Sequence, residues 1–195
     1  MNQGLIYVIS APSGAGKTTV IKEFLKKYKK DFVLSVSVTT RKPRKNEKDG
    51  RDYFFFTKEK FKAHIKKGSF LEYARVLSNY YGTLKKTVLS AINKGKNVIM
   101  DIDVQGAAKI RRRMKGKCVT IFIVPSPNSS LAELKKRLLN RRTETRQDVQ
   151  LRLELAKKEL KEKGKYDYIV VNKDLKKAVQ NIEKIYRLQQ SKRRK

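Results

Sequence analysis

The sequence predicts an α/β fold whose core is a parallel sheet. Apolar runs that are typical of buried strands alternate along the chain with amphipathic stretches that are typical of helices, and this alternation favours parallel construction. One segment, from Tyr53 to Thr83, instead has the half-exposed pattern of antiparallel strands. We therefore expect a parallel core that carries an insert, within 195 residues that have the length of one domain.

The first half of the chain supplies the first core elements and the insert. The apolar run Leu5–Ile9 predicts a strand, and a helix is expected to begin at Lys17. The pattern then predicts a strand over Phe32–Ser37, a polar loop over Thr39–Gly50, an aromatic strand over Tyr53–Phe56, a helix near Lys58–Lys67, a strand over Phe70–Leu77, a turn over Asn79–Gly82 and a helix around Lys85–Asn93.

The second half returns to the core pattern. It predicts a strand over Val98–Asp101, a helix near Gly106–Met114, a strand over Cys118–Val124, helices near Leu131–Leu139 and Asp148–Lys161, a strand over Tyr168–Val171 and a last helix from Asp174 to about Leu188. The polar segment Asn140–Arg146 has few apolar anchors, which predicts a lid of low local stability. The basic residues Ser191–Lys195 predict a frayed tail.

The turn after the first strand carries the most specific chemical signal. It consists of Ala11, Pro12, Ser13, Gly14, Ala15, Gly16, Lys17 and Thr18. Backbone N–H groups of such a turn point inward and the helix N-terminus adds partial positive charge, so the turn can hold a polyphosphate. Gly14 and Gly16 let the backbone approach the anion closely. Lys17 is expected to reach the terminal phosphates and the Thr18 hydroxyl to take one position on Mg²⁺, although Ala11 replaces the first glycine of the general P-loop pattern.

The charge of the chain is extreme. Forty-nine Lys and Arg residues against 18 Asp and Glu residues give a net charge of +31, which by itself suggests nucleic-acid binding. The basic residues are spread over most of the chain, however, which favours a general drift toward lysine over a dedicated groove. We therefore expect RNA binding that is non-specific and confined to low salt, and no specific nucleic-acid partner.

Single cysteine and histidine residues limit the possible chemistry. One cysteine, Cys118, cannot form an intrachain disulfide or a cysteine zinc framework, so we expect a small buried core side chain and a reducing compartment. The only histidine, His64, is expected at the surface. No basic-then-apolar segment precedes the first strand and no apolar run has the length of a membrane span, so we expect a cytoplasmic protein without a membrane partner.

Three arginine groups accompany the phosphate-binding turn: Arg41 with Arg44, then Arg137 with Arg141 and Arg142, then Arg152. Arginine donates paired hydrogen bonds to phosphate oxygens and does not deprotonate. Each group alone is typical of a solvated face. Beside a triphosphate-binding turn they indicate transfer between two phosphate-bearing molecules, because such transfer needs charge neutralised from several sides.

Together these motifs resemble the guanylate kinases. The resemblance runs in family order from about Gly4 to Ile185, through Ser10–Thr18, Ser35–Arg44, Gly50–Phe55, Phe70–Glu72, Asn79–Thr83, Asp101–Gly106, Lys136–Thr145 and Ile169–Asn172. Bacterial members commonly carry alanine at the position of Ala11. The resemblance implies a P-loop nucleoside monophosphate kinase fold over 4–185, with the P-loop at 11–18, a GMP-binding insert at about 37–84, a lid at about 137–152 and a basic tail over 186–195.

The resemblance also implies roles for single residues. The phosphate of GMP is assigned to Arg41, Arg44, Tyr53 and Tyr81, and the guanine to Ser37, Glu72 and Thr83. A carboxylate at Glu72 can accept hydrogen bonds from both N1–H and the exocyclic amine of guanine, whereas adenine has an acceptor at N1, so discrimination of roughly 10⁴ is attainable.

The remaining roles concern the phosphates and the nucleotide donor. The resemblance places Asp101 and Asp103 near GMP and Mg²⁺, and Asn172 near adenine. It assigns the lid and its supporting helix to Arg137, Arg141 and Arg152, and transfer catalysis to these three with Lys17 and Arg41. Two positions depart from the family pattern: Lys173 stands where acidic residues are usual, and Arg142 where glycine is usual.

The implied activity is Mg²⁺-dependent transfer of a phosphoryl group from ATP to GMP, and to dGMP, for purine nucleotide recycling. Three alternatives stay open at this point. The chain could be a non-catalytic binding module with a guanylate kinase-like fold, a basic RNA-binding protein, or a kinase for a different nucleoside monophosphate.

Overall fold

The computed structural model describes residues 3–128, 131–139 and 146–194. Its strands are β1 (Ile6–Ser10), β2 (Phe32–Leu34), β3 (Val38–Thr39), β4 (Phe54–Phe55), β5 (Phe70–Val76), β6 (Asn79–Leu84), β7 (Asn97–Asp101), β8 (Cys118–Val124) and β9 (Tyr168–Val171). Its α-helices are α1 (Lys17–Tyr28), α2 (Lys58–Lys66), α3 (Lys85–Asn93), α4 (Val104–Arg113), α5 (Leu131–Leu139), α6 (Arg146–Lys161) and α7 (Leu175–Arg194).

The strands form two sheets. The larger sheet has the order β2-β7-β1-β8-β9 and the smaller one the order β4-β3-β6-β5. The pairs β2–β7 and β8–β9 are parallel, and nearly every residue of β1, β7 and β8 is buried. Continuous apolar runs are buried in this way when both faces of a parallel sheet are covered. The predicted parallel α/β core is confirmed.

The chain divides into two compact units. The first unit comprises Met1–Val8 and Lys30–Val119, and the second comprises Ile9–Lys29 and Thr120–Lys195. The first unit contains the smaller sheet with the helices α2, α3 and α4. The second unit contains α1, α5, α6 and α7 together with β9.

The smaller sheet has an aromatic core of its own. Val38 of β3, Phe61 of α2 and Phe70 of β5 are buried together, and the rings of Phe61 and Phe70 stack with their centroids 4.5 Å apart. Strand β6 pairs antiparallel with both β3 and β5, as the half-exposed pattern predicted. Strand β4 departs from that prediction, because it pairs parallel with β3. Thr57 caps the N-terminus of α2, and its hydroxyl accepts the backbone N–H of Lys60.

In the second unit, α1 packs against α7. Phe24 of α1 and Ile182 of α7 are both buried, and Lys27 Nζ lies 2.8 Å from Glu183 Oε1. Helix α5 packs against α6. The start of β9 is anchored by Asp167, whose carboxylate accepts both the backbone N–H and the hydroxyl of Thr120 at 2.8 Å.

Several predicted elements differ from the structure. The strand expected over Phe32–Ser37 divides, because the backbone N–H of Ser35 still bonds to Ile99 in the larger sheet while the chain pairs with the smaller sheet from Val38 onward. The turn expected over Asn79–Gly82 is part of the strand β6, whose partners come from distant segments. The last helix continues to Arg194, since 175–194 contains no glycine or proline to end it.

Two side chains also differ from expectation. Cys118 is half-buried, because it opens β8 at the end of the strand. His64 is not a surface residue: its ring lies 5.1 Å from that of Phe56 and 6.0 Å from that of Phe70, and its Nδ1 is buried. The lysine-rich sequence around His64 concealed that one face of α2 packs on the sheet. No helix in the described part of the chain is long and apolar enough to cross a membrane.

Candidate active site

The turn between β1 and α1 has the backbone conformation that its glycines predicted. Gly14 has φ 91° and Gly16 has φ 84°, in the left-handed region that a Cβ disfavours. The N–H of Ala15 donates to the carbonyl of Pro12 at 3.1 Å, and the N–H of Val20 donates to that of Gly16 at 3.1 Å. The turn therefore closes on itself and passes directly into the helix, so that the partial positive charge of the α1 N-terminus lies at the turn.

Asn172, which directly follows β9, forms a hydrogen bond to this turn. Its Nδ2 donates to the carbonyl of Ala15 at 2.7 Å, and its backbone N–H donates to Val124 at 2.7 Å. A Cβ on Gly16 would lie 2.5 Å from the same Nδ2. Gly16 is thus required both for its positive φ and for the close approach of Asn172. The proximity of Asn172 to adenine stays a prediction.

Two of the predicted arginines lie in the same unit as the turn. Arg137 Nη2 donates to the carbonyls of Asn172 at 3.1 Å and Pro125 at 3.3 Å, and lies 2.7 Å from Glu133 Oε1. Arg152 Nη1 donates to Ser13 Oγ at 3.4 Å. Arg152 therefore reaches the phosphate-binding turn itself, whereas Arg137 braces the end of β9.

Two further predicted arginines cannot be placed in this way. Arg141 and Arg142 lie outside the described residues. The predicted lid is therefore described only up to Leu139 and again from Arg146.

Lys17 and Thr18 occupy the first turn of α1, where Lys17 is half-buried and Thr18 is exposed. A hydroxyl in this position can join phosphate oxygens and waters around Mg²⁺, which usually keeps several waters and takes few protein ligands. The other predicted ligand, Asp103, caps α4 by accepting the N–H of Gly106 at 2.8 Å. Among the described residues, no group of three or more His, Cys, Asp or Glu side chains could hold a metal ion. The magnesium roles of Thr18 and Asp103 stay predictions.

The first unit holds the residues predicted to contact guanine. Glu72 on β5 is only 3% exposed, and the hydroxyl of Thr83, its partner in the register with β6, donates to its Oε1 at 2.8 Å. A Cβ on Gly106 would lie 2.6 Å from Glu72 Oε2. The carboxylate is thus fixed on one side by a hydroxyl and on the other by a helix that approaches closely at a glycine.

The environment of Glu72 disfavours its charge. Burial raises the pKa of the carboxyl, and the neighbouring Asp103 raises it further. The hydrogen bond from Thr83 and the cations Lys109 and Arg113 oppose this rise, and the resulting pKa is about 7. A buried carboxyl with so few partners can accept further donors, and a base that offers two N–H groups would supply them.

The predicted phosphate side of the same unit is built around Arg41. Its guanidinium forms a two-pronged pair with Glu47, with Nη1–Oε2 and Nη2–Oε1 distances of 3.0 and 2.9 Å. Glu47 also accepts the backbone N–H of Arg44 at 2.8 Å. Burial opposes the charge of Glu47, but the bonds from Arg41 and Arg44 outweigh it and hold the pKa of Glu47 below its ordinary value.

Two tyrosines complete this cluster. The ring of Tyr53 lies 5.4 Å from the Arg41 guanidinium and 6.2 Å from the ring of Tyr81. Burial, and then the charge of Asp101, raise the pKa of Tyr53 above its ordinary value. Its hydroxyl therefore stays protonated and can donate to an anion. Arg44 is exposed, while Ser37 is buried, with its carbonyl accepting the N–H of Phe54 at 2.9 Å.

The first unit thus contains every residue predicted to bind GMP: Ser37, Arg41, Arg44, Tyr53, Glu72, Tyr81, Thr83 and Asp101. The predicted ATP residues, from Ala11 to Thr18 with Asn172, all belong to the second unit. Glu47 and Gly106 were missed as site residues. Glu47 is the only acidic residue in the basic segment Arg41–Lys48, which was a usable signal, but no local pattern indicated that Gly106 abuts Glu72.

Known proteins are similar to this chain over nearly its whole length. The family model for guanylate kinase matches residues 3–189. A guanylate kinase from Thermotoga maritima is 48% identical over 190 residues, which cover 97% of this chain and 89% of the relative. One from Clostridium tetani is 46% identical over 185 residues, which cover 95% of this chain and 86% of the relative.

A solved structure is also similar. The crystal structure of guanylate kinase from Anaplasma phagocytophilum matches with a TM-score of 0.80 and 35% sequence identity, covering 97% of this chain and 88% of that one. The family match spans nearly the whole chain, including the phosphate-binding turn and the buried Glu72. The chain belongs to the guanylate kinase family.

Proposed function

We propose that this protein transfers the γ-phosphoryl group of ATP to GMP, giving ADP and GDP. The observation that carries the proposal is the buried carboxyl of Glu72, which is 3% exposed and receives one hydrogen bond, from Thr83. A carboxylate with remaining acceptor capacity matches the N1–H and amino donors of guanine. It does not match adenine, whose N1 is an acceptor.

Transfer requires that an oxygen of the GMP phosphate attack the γ-phosphorus while the bond from that phosphorus to the bridging oxygen of ADP breaks. No covalent enzyme intermediate is needed, so the protein contributes by positioning and by stabilising charge. Lys17 and the N–H groups of the turn would hold the β- and γ-phosphates. Thr18 and Asp103 are the residues that we assign to Mg²⁺, which would neutralise charge on these oxygens when bound with ATP.

Arg41 is the residue that we assign to the acceptor phosphate. Its guanidinium is paired with Glu47, and a bound phosphate would replace Glu47 as the acceptor of these hydrogen bonds. A phosphate can accept the same pair of hydrogen bonds, and Tyr53 would add a hydroxyl donor beside it. Arg152, within reach of Ser13, would add positive charge at the donor phosphates.

The same proposal includes dGMP as an acceptor, the GMP-binding insert at about 37–84, the lid at about 137–152 and a cytoplasmic location. It rests on the site residues described above and on the family. Closure of a lid would exclude water, which matters because an open site would hydrolyse ATP unproductively.

The activity is identified by which nucleoside monophosphate accepts the phosphoryl group. ADP production is measured with ATP and Mg²⁺ in the presence of GMP, dGMP, AMP, CMP or UMP, with an acceptor-free reaction as the control for hydrolysis. We expect turnover with GMP and dGMP and little above the control with the other three. Absence of turnover with GMP would refute the proposal, and equal turnover with AMP would refute the role of Glu72.

A further inference from the structure

One face of helix α4 is bonded to the outer edge of strand β5. Strand β5 is the last strand of the smaller sheet, so its outward carbonyls have no neighbouring strand. Three side chains of α4 donate to three of these carbonyls in succession: Gln105 Nε2 to Arg75 at 3.4 Å, Lys109 Nζ to Tyr73, and Arg113 Nη1 to Leu71. These side chains form what we call the edge clamp.

The spacing of the three bonds in the clamp follows from the rise per residue of the helix and of the strand. The donors are four residues apart on the helix, a rise of about 6 Å, and lie on one face. The acceptors are two residues apart on the strand, a rise of about 6.8 Å. Because the two repeats nearly match, three consecutive rungs can form between a helix and a strand that run in opposite directions. An exposed edge is thereby covered without a further strand.

Glu72 lies between two rungs of this clamp. The carbonyls of Leu71 and Tyr73, on either side of it, are those held by Arg113 and Lys109. The pairing of β5 with β6 also shifts register between Phe70 and Glu72, so the sheet ladder is irregular where the carboxylate is presented. The clamp bonds the outward carbonyls on both sides of Glu72, which the ladder with β6 does not reach.

The same two cations act on the charge of Glu72. Burial and Asp103 favour the neutral carboxyl, whereas Thr83, Lys109 and Arg113 favour the carboxylate. Lys109 also lies over the ring of Tyr73, with its Nζ 4.7 Å from the centroid. The cations therefore favour the form of Glu72 that accepts two hydrogen bonds, and they hold the backbone on both sides of it.

We propose that Lys109 and Arg113 are positioning residues for guanine recognition, which they serve through the backbone on both sides of Glu72. The proposal rests on the proposed function, since it assigns the acceptor base to Glu72. The residues act on binding of the acceptor and not on the ATP site, which lies in the second unit. Their loss should therefore raise the KM for GMP and leave the KM for ATP unchanged.

The test compares Lys109→Met and Arg113→Met with a matched control, Arg112→Met, which removes an exposed cation from the same helix. KM for GMP, KM for ATP and kcat are measured, together with GMP binding by calorimetry. We expect KM for GMP to rise about tenfold in each of the first two variants, by loss of a charge-assisted bond, with kcat and KM for ATP within about twofold. The control should behave like the wild type.

A double substitution distinguishes a positioning role of Lys109 from an effect on the overall stability of the protein. In a Glu72→Gln background, Lys109→Met should change the KM for GMP less than twofold, because the carboxylate that Lys109 positions has already been replaced. Lys109→Arg, which keeps the charge and a donor, should recover most of the wild-type KM. Thermal unfolding confirms that each variant is folded, and Arg113→Met supplies the same test if Lys109→Met is not.

Several results would overturn the inference: an unchanged KM for GMP in both variants, an equal rise in KM for ATP, or an undiminished effect of Lys109→Met in the Glu72→Gln background. Wild-type protein that neither binds nor phosphorylates GMP would instead refute the proposed function, and this inference with it. Normal wild-type activity with unaffected variants would refute the inference alone.

Discussion

The phosphate-binding turn and the site around Glu72 are built by opposite means. The turn uses backbone groups from one segment of eight residues, and its shape depends on two glycines with positive φ. The Glu72 site uses side chains from several separated segments, and its central group is a buried carboxyl with a pKa of about 7. Backbone N–H groups recognise phosphate in any nucleotide, whereas a placed side chain can distinguish one base from another.

Among the substitutions considered, that of Lys17 in the phosphate-binding turn should lower activity the most. We expect Lys17→Ala to lower kcat by about 10³-fold or more, because a cation aimed at the transferred phosphoryl group is lost. The fold should be retained, since the turn is held by backbone bonds and by Asn172. Kinetics with saturating GMP and a thermal unfolding curve measure both effects.

Lys22→Ala, which removes an exposed lysine from the same helix, is the control for the loss of charge. Full activity of Lys17→Ala would show that the phosphate cradle has been misassigned.

Substitution of Glu72 should affect selectivity as well as rate. Glu72→Gln is expected to lower kcat/KM for GMP roughly 10²–10³-fold, since one acceptor oxygen becomes a donor that opposes the donors of guanine. The ratio of kcat/KM for GMP to that for AMP should fall by a similar factor. The substitution is nearly isosteric, so unfolding should be little affected.

Glu59→Gln, at an exposed carboxylate of α2, controls for the loss of a negative charge in the same unit. An unchanged ratio of GMP to AMP would remove Glu72 from base recognition.

The pH dependence provides the smallest and most specific test. The pKa of Glu72 is raised from 4.5 to about 7, so the carboxyl takes up a proton as pH falls through 7 and loses one acceptor. We expect kcat/KM for GMP to fall by up to about tenfold per pH unit below 7. The same raised pKa makes the folded state bind the proton more tightly, so this group destabilises the fold as pH rises from about 4.5 to 7.

The phosphate of GMP itself titrates near pH 6, and Glu72→Gln separates the two effects. The variant should retain only the part of the profile that belongs to the substrate. Identical profiles for the wild type and Glu72→Gln would contradict the assignment of the titration to Glu72.

Much of the fold was predictable because its signals are local. The alternation of apolar runs with amphipathic stretches predicted the parallel core, and the bounds of α3, β8 and α5 agree with the pattern. Elements with distant partners were less predictable. The turn-like residues Asn79–Gly82 predict a turn, whereas pairing with β3 and β5 makes them part of strand β6.

The conformation of the turn was likewise predictable, because Gly14 and Gly16, which both have positive φ, lie in one short segment between a strand and a helix. The Glu72 site is different in kind. Its sequence supplies a carboxylate, but burial, the bond from Thr83, the close approach of Gly106 and the cations of α4 are all contacts between distant segments. The shift of a pKa is set by such surroundings, which is why only the tertiary structure decided that Glu72 is a buried carboxyl with a raised pKa.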